Sequence, residues 1–437
     1  MGPHAHKKMK IAVIGGGGVR TPLLVNGLTH SDLPIDEIAL FDVDRARLEL
    51  VASLAASYAR SVRAYTEVRA CVAGASFVFV SIRVGGIAAR ARDEATAAAY
   101  DTVAQETVGA GGFAMAVRTI PHAREYARLV AREAPRAWII DFTNPVGIIT
   151  QAMRTENGRV IGICDTPTEL FEEVAHVLGL ESSRCYFDYF GLNHLGWLRE
   201  VYCDGEPQVH RLWQSPALLT RIYRAPLFEA TFLQQERLLP TEYLFYYYSP
   251  NTAIENIRSA GATRGDAIAR LNEQLFRDLA GGGADRRRIY ERYLHARSAG
   301  YMQIESGAAQ PIAQTASGAL TGYDKIALSV VRAMHFNTNA IIPLNVPNRG
   351  TLPDLEDDDI VEVPCVVNAN GAHPLTVEPI PDRARDLIAR VKKYERLTIA
   401  AAASRSVDAA ERALTENPLI AHRELARTLV DALKPLW

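Results

Sequence analysis

Cysteine is scarce, and the five present (Cys71, Cys164, Cys185, Cys203, Cys365) are odd in number and scattered. That spread argues against a disulfide framework of the secreted kind. It points to a reducing cytoplasm, where a thiolate is free to bind metal. Long apolar runs are missing as well: nothing approaches the eighteen or so residues that a membrane-spanning helix needs, so no membrane partner is expected. Excess charge of either sign is absent, with 48 basic against 50 acidic side chains, a net charge of 48 − 50 = −2. Such a chain has no whole-molecule field to attract nucleic acid, although a local basic pocket for a small anion is compatible with it. Internal repeats and low-complexity linkers are also lacking. The first eight residues carry no apolar core of the kind a secretory signal needs, and Met9 is the expected natural start.

What is there suits a large globular protein. A chain of 437 residues outgrows a single core, so two or three domains are expected. Residues 10–14 form a short β-rich run ending in Gly15-Gly16-Gly17-Gly18, and a helix is expected from about Pro22 to Leu28. A second apolar run, residues 37–41, ends in Asp42. A long Ala/Leu/Arg helical pattern then leads to residues 75–82, continuously apolar as buried parallel strands are. Residues 138–142 and 160–163 repeat the theme. The expected fold class is α/β: an N-terminal Rossmann-like doubly wound parallel sheet over residues 9–185, followed by a C-terminal α+β domain over 186–437 for substrate binding and oligomerisation. In that second part, residues 185–203 read as β, about 215–300 as helices, about 343–359 as a turn region, 361–367 as a strand, and the chain from about Asp382 as helices.

Gly15, Gly17 and Gly18 fall between a strand and a helix, where a tight turn and close backbone approach call for glycine. The helix N-terminus behind them offers free N–H groups to a pyrophosphate. Val19 and Arg20 complete the loop, Arg20 standing where a third glycine is usual. Asp42, at the end of the second strand, can accept hydrogen bonds from ribose hydroxyls and disfavours a 2′-phosphate, so NAD is the expected dinucleotide. Cys164 follows a predicted strand and therefore sits at the carboxyl edge of the sheet. His194 lies in a Gly-flanked turn. Spacing alone leaves two readings open: half of a divalent-metal site, or a buried apolar thiol and a hydrogen-bonded loop histidine.

Taken together, Gly-Gly-Gly-Gly-Val-Arg-Thr-Pro22, Arg90-Ala-Arg-Asp-Glu94, Gln105-Glu-Thr-Val-Gly109, Phe142-Thr-Asn-Pro145, Gly162-Ile-Cys164, Gly191-Leu-Asn-His-Leu195, Pro240-Thr-Glu-Tyr243, Thr263-Arg-Gly265 and Tyr394-Glu-Arg-Leu-Thr398 resemble glycoside hydrolase family 4. These are NAD- and metal-dependent glycosidases, exceptions to the two-carboxylate mechanism. The resemblance implies hydride removal from C3 of the sugar, deprotonation at C2, loss of the aglycone from C1, addition of water, and return of the hydride. It implies Cys164 and His194 as ligands of Mn2+, and Tyr243 as the base. Asp165 becomes an acid for the leaving group or a substrate contact, and Glu106 a residue orienting metal-bound water. Asn144 and Asn193 would bond sugar hydroxyls or the metal shell, and Arg90, Arg92 and Arg264 a 6-phosphate. The overall pattern looks most like the bacterial 6-phospho-β-glucosidases, with a sugar phosphate as small-molecule partner and a homodimer or homotetramer as assembly. Alternatives are an α-specific or non-phosphorylated glycosidase of the same family, an NAD-dependent 2-hydroxy acid dehydrogenase, and a non-catalytic NAD sensor.

Overall fold

The structure, a computed structural model, describes residues 9–223, 227–282, 285–308 and 322–434. Six strands, β1 (Met9–Ile14), β2 (Ile35–Phe41), β3 (Val62–Tyr65), β4 (Phe77–Val80), β5 (Trp138–Asp141) and β6 (Val160–Gly162), lie parallel in the order β3-β2-β1-β4-β5-β6. The order reverses between β1 and β4, which opens a crevice at their carboxyl ends. Helices cover both faces, so β4 is buried at every position and reads as a continuous apolar run. Its Phe79 and the helical Phe113 are 1% and 0% exposed, and each contributes about 1.5–3 kcal/mol by leaving water.

The chain then forms the antiparallel hairpin β7 (Cys185–Leu192) and β8 (Leu195–Cys203), flanked by the two-residue strands β9 (Glu206–Pro207) and β10 (Leu239–Pro240). The described helices of this region are Ala230–Glu236, Phe245–Tyr248, Pro250–Ala260, Arg264–Ala280 and Arg286–Ala299. Three late strands, β11 (Ala340–Pro347), β12 (Ile360–Asn368) and β13 (Gly371–Pro374), return to the first sheet and extend it antiparallel from β6, giving nine strands. One apolar core joins both parts of the chain, with Ile11 and Val80 in the same cluster as Val363 and Val430. Among the described residues no helix is long and apolar enough to cross a membrane.

Two expectations need correction. Residues 62–65, read as part of a long helical stretch, form the edge strand β3. None of its four side chains is fully buried, so it lacks the continuous apolar run of the central strands. Residues 343–347, read as turn because of Pro343 and Pro347, belong to β11. The prolines are tolerated because β11 meets β6 only at Asn345 opposite Gly162, so that edge asks few ladder bonds of them.

Candidate active site

The glycine loop turns sharply after β1. Gly15 has φ +91, and a Cβ there would lie 2.1 Å from the Ser81 carbonyl oxygen, so only glycine fits. Gly17 donates its N–H to Asp42 Oδ2 at 2.9 Å, which sets the carboxylate at the end of β2 against the loop. Behind them the helix Thr21–Thr29 starts with Pro22 in its first turn. This cradle, closed to a Cβ and flanked by a helix N-terminus and an acid, fits a dinucleotide.

A cavity of about 620 Å³ opens at the carboxyl ends of the strands. Cys164, two residues past β6, and His194, at the β7–β8 turn, meet in its wall, with Cys164 Sγ 3.5 Å from His194 Nε2. Each is 5% exposed, and His194 holds the turn with φ +61. Burial lowers the imidazole pKa to about 4, so the ring is neutral at physiological pH. Its tautomer follows from the hydrogen bonds. Thr107 Oγ1 donates to Gln105 Oε1 at 2.7 Å, so at 2.9 Å it accepts from His194 Nδ1. That leaves Nε2 with a lone pair facing the sulfur. Bonds of about 2.3 Å to sulfur and about 2.1 Å to nitrogen separate two ligand atoms of one tetrahedral ion by roughly 3.5 Å. The pair fits a divalent ion. Among the described residues no cluster of three or more metal-binding side chains forms. Burial, then the nearby Glu362 and Asp165, push the Cys164 thiol well above its ordinary value, so a bound cation is what favours the thiolate.

Tyr243 stacks flat on the imidazole, ring centroids 3.7 Å apart and planes 1° from parallel. Burial first, then Glu242 and Glu106, raise its phenol well above the usual range. The opposing charges are Arg20 and Arg90, both of which feel Tyr243. Arg20 pairs with Asp165 at 3.3 Å and lies over the rings of Phe142 and Tyr323. Arg90 is held by Glu94 at 2.8 Å and Glu106 at 3.0 Å, and Glu106 also takes Arg83 at 2.6 Å. Burial opposes the charged form of Glu106, but Arg83 and Arg90 keep its carboxyl far below the ordinary value. Glu94 also accepts from the Gly265 N–H at 2.5 Å, which fixes the start of the helix carrying Arg264.

Of the residues singled out from sequence, Val19, Arg20, Arg90, Glu106, Asn144, Cys164, Asp165, His194, Tyr243 and Arg264 line this one cavity. Gly15, Gly17, Gly18 and Asp42 form the cradle beside it. Two fall elsewhere. Arg92 is exposed on the outer face of its helix, because Arg90, Asp93 and Glu94 take the inward positions. Asn193 turns its amide to Glu362 at 3.3 Å rather than into the cavity wall. Sequence reasoning assigned no role to Thr107 and Gln105, although both stood in a quoted motif. It also passed over Glu305, a 3% exposed cavity residue whose Oε2 has no hydrogen-bond partner among the described residues. A lone acid among apolar neighbours could have flagged Glu362, and nothing local marks Glu305.

Residues 10–180 match the model of the family 4 glycosyl hydrolases, and residues 189–420 that of the family 4 glycosyl hydrolase C-terminal domain. A curated 6-phospho-beta-glucosidase of Thermotoga maritima is 30% identical, covering 97% of each chain. The solved structure of a 6-phospho-beta glucosidase from Thermotoga maritima, with manganese, NAD+ and glucose-6-phosphate, matches with TM-score 0.82 at 29% identity, covering 98% of both chains. A 6-phospho-alpha-glucosidase from gut microorganisms, in complex with NAD and glucose-6-phosphate, matches with TM-score 0.84 at 25% identity, covering 99% of both. The cradle, the facing thiol and imidazole, and the end-to-end match agree on one assignment: the chain belongs to glycosyl hydrolase family 4.

Proposed function

We propose that this chain is an NAD- and manganese-dependent 6-phospho-glycosidase whose preferred substrates are 6-phospho-β-glucosides. The observation that carries the reading is the meeting of Cys164 and His194 at 3.5 Å in the cavity wall, with Tyr243 stacked on the imidazole. Cys164 and His194 would hold the metal, and Gly15, Gly17, Gly18, Val19 and Asp42 the dinucleotide. When bound, the nicotinamide is a reversible acceptor for the C3 hydride and the metal a Lewis acid for the adjacent sugar oxygens. The protein's own part is proton transfer and orientation. Tyr243 removes the C2 proton once C3 is a ketone, and Arg20 and Arg90 favour its phenolate. As the C1–O bond breaks, Asp165 gives a proton to the departing oxygen and the aglycone leaves as an alcohol. Water then adds at C1 and gives its proton back to Asp165, and Tyr243 returns its proton to C2. Arg264 lines the cavity with one guanidinium nitrogen on the Arg297 carbonyl, leaving donors for the 6-phosphate. Asn144 bonds a sugar hydroxyl.

The α-specific reading has its own support in Asp165, an acid directly after the metal-binding cysteine, and in the α-glucosidase relative. A panel of α and β, phosphorylated and free p-nitrophenyl glucosides, with NAD and Mn2+ under reducing conditions, tests both. The expected result is hydrolysis of the 6-phospho-β-glucoside only when NAD and metal are present, with no net NADH. Turnover that survives removal of NAD, or NADH accumulating with a 2-hydroxy acid, would overturn the proposal.

A further inference from the structure

Glu362 is the only charged residue of β12, 1% exposed between Val361 and Val363. A carboxylate is a costly choice where its neighbours are valines, and it has no cation beside it among the described residues. Three neutral donors converge on it instead. Tyr189 of β7 donates its hydroxyl to Oε2 at 2.7 Å, while the amides of Asn345 and Asn193 donate to Oε1 at 2.7 and 3.3 Å. Two of these donors lead to the metal pair. Asn345 sits opposite Gly162, two residues before Cys164. Asn193 directly precedes His194, whose left-handed backbone a non-glycine residue adopts only when its surroundings impose it.

We propose that Glu362 is a positioning residue for the metal pair, whose carboxylate anchors Asn193 and so holds the His194 turn with Nε2 facing the Cys164 sulfur. The inference rests on the metal-binding reading of Cys164 and His194 given above. The carboxylate offers acceptors to all three donors at once; a glutamine could keep its oxygen on the two amides and turn its NH2 to the Tyr189 hydroxyl, which can accept, whereas a leucine offers no acceptor and removes the Asn193 contact. The action is on ligand geometry, through Asn193, and not on substrate.

The test is a double-mutant cycle on Mn2+ affinity, read by calorimetry and by the electron paramagnetic resonance of free Mn2+, in the full-length, NAD-loaded protein. Glu362→Leu and Asn193→Ala are each expected to weaken Mn2+ binding about 10- to 100-fold, the usual scale for outer-shell partners. The double variant should be no weaker than the worse single one within about threefold, since both remove the Asn193–Glu362 contact. Asn193→Ala changes a half-buried turn residue, so it probes the contact even where Glu362→Leu does not fold. Tyr189→Phe removes another donor without touching Asn193 and should keep wild-type affinity. Unchanged affinity in Asn193→Ala, losses that multiply in the double variant, or an equal loss in Tyr189→Phe would each overturn the proposal. A wild-type protein that binds no Mn2+ would instead remove the metal-site reading, and this inference with it.

Discussion

His194 Nδ1 lies 2.9 Å from the hydroxyl of Thr107, which passes its own proton to Gln105. This chain of two hydrogen bonds decides which imidazole nitrogen keeps a lone pair, and it is the one facing Cys164. Thr107→Val keeps the side-chain shape and removes the acceptor. Mn2+ affinity should fall about 10- to 100-fold in the valine variant and stay near wild type in Thr107→Ser. Equal affinity in all three proteins would show that the tautomer is fixed by something else.

Tyr243, the proposed base, stacks on the His194 imidazole. Tyr243→Phe keeps the ring on the imidazole and loses only the hydroxyl. Turnover of the 6-phospho-glucoside should drop about 10²- to 10⁴-fold with a much smaller change in KM, as expected for a lost general base. A variant with wild-type kcat would transfer the role to another group.

Asp165 is expected to matter in proportion to the demands of the leaving group. Asp165→Ala should slow a 6-phospho-glucoside with a simple alkyl aglycone far more than the p-nitrophenyl compound, whose phenolate departs without help. If both substrates slow by the same factor, Asp165 is a binding residue and its pairing with Arg20 explains the loss.

Asp141, at the end of β5, is fully buried and accepts from the Thr143 N–H and the Thr150 hydroxyl, both at 2.9 Å. Burial pushes its carboxyl up to about 7 in spite of those donors. The folded state therefore holds the proton more tightly than the unfolded chain, where the value is about 3.9. Its contribution to stability is present in full below about pH 3.9 and is lost as pH rises through about 7. Asp141→Asn should flatten that part of the pH profile of urea unfolding. An unaltered slope between about pH 4 and 7 would mean that the carboxyl titrates normally in the fold.

Much of this molecule could be read from its residues, and the failures have physical causes. Continuous apolar runs such as residues 75–82 announced the central strands, because strands buried on both faces carry no polar alternation. β3 was missed for the opposite reason, being a short edge strand with no fully buried side chain. β11 was hidden by two prolines that a scarcely paired edge tolerates. At the site, Cys164 and His194 were found through motifs, yet no spacing rule places a thiol after β6 against an imidazole in a hairpin turn. Arg90 was legible as a candidate cation of the site, and it lines the cavity. Its hold by Glu94 and Glu106 depends on tertiary packing that local sequence does not encode. Glu362 lay in a segment read only as strand, its partners 17 to 173 residues away.

The late strands also bear on how the molecule could be divided. β11 joins β6 at Asn345 opposite Gly162 and carries the sheet on through β12, so the chain beyond residue 185 stands at what would otherwise be the bare rim of the dinucleotide-binding layer. Cut there, the first part would present unpaired amide and carbonyl groups along an apolar strand, an invitation to self-association. The protein is thus poorly suited to modular exchange: a cofactor-binding half transplanted by itself would lose both its imidazole partner and the border that keeps its sheet from sticking to its neighbours.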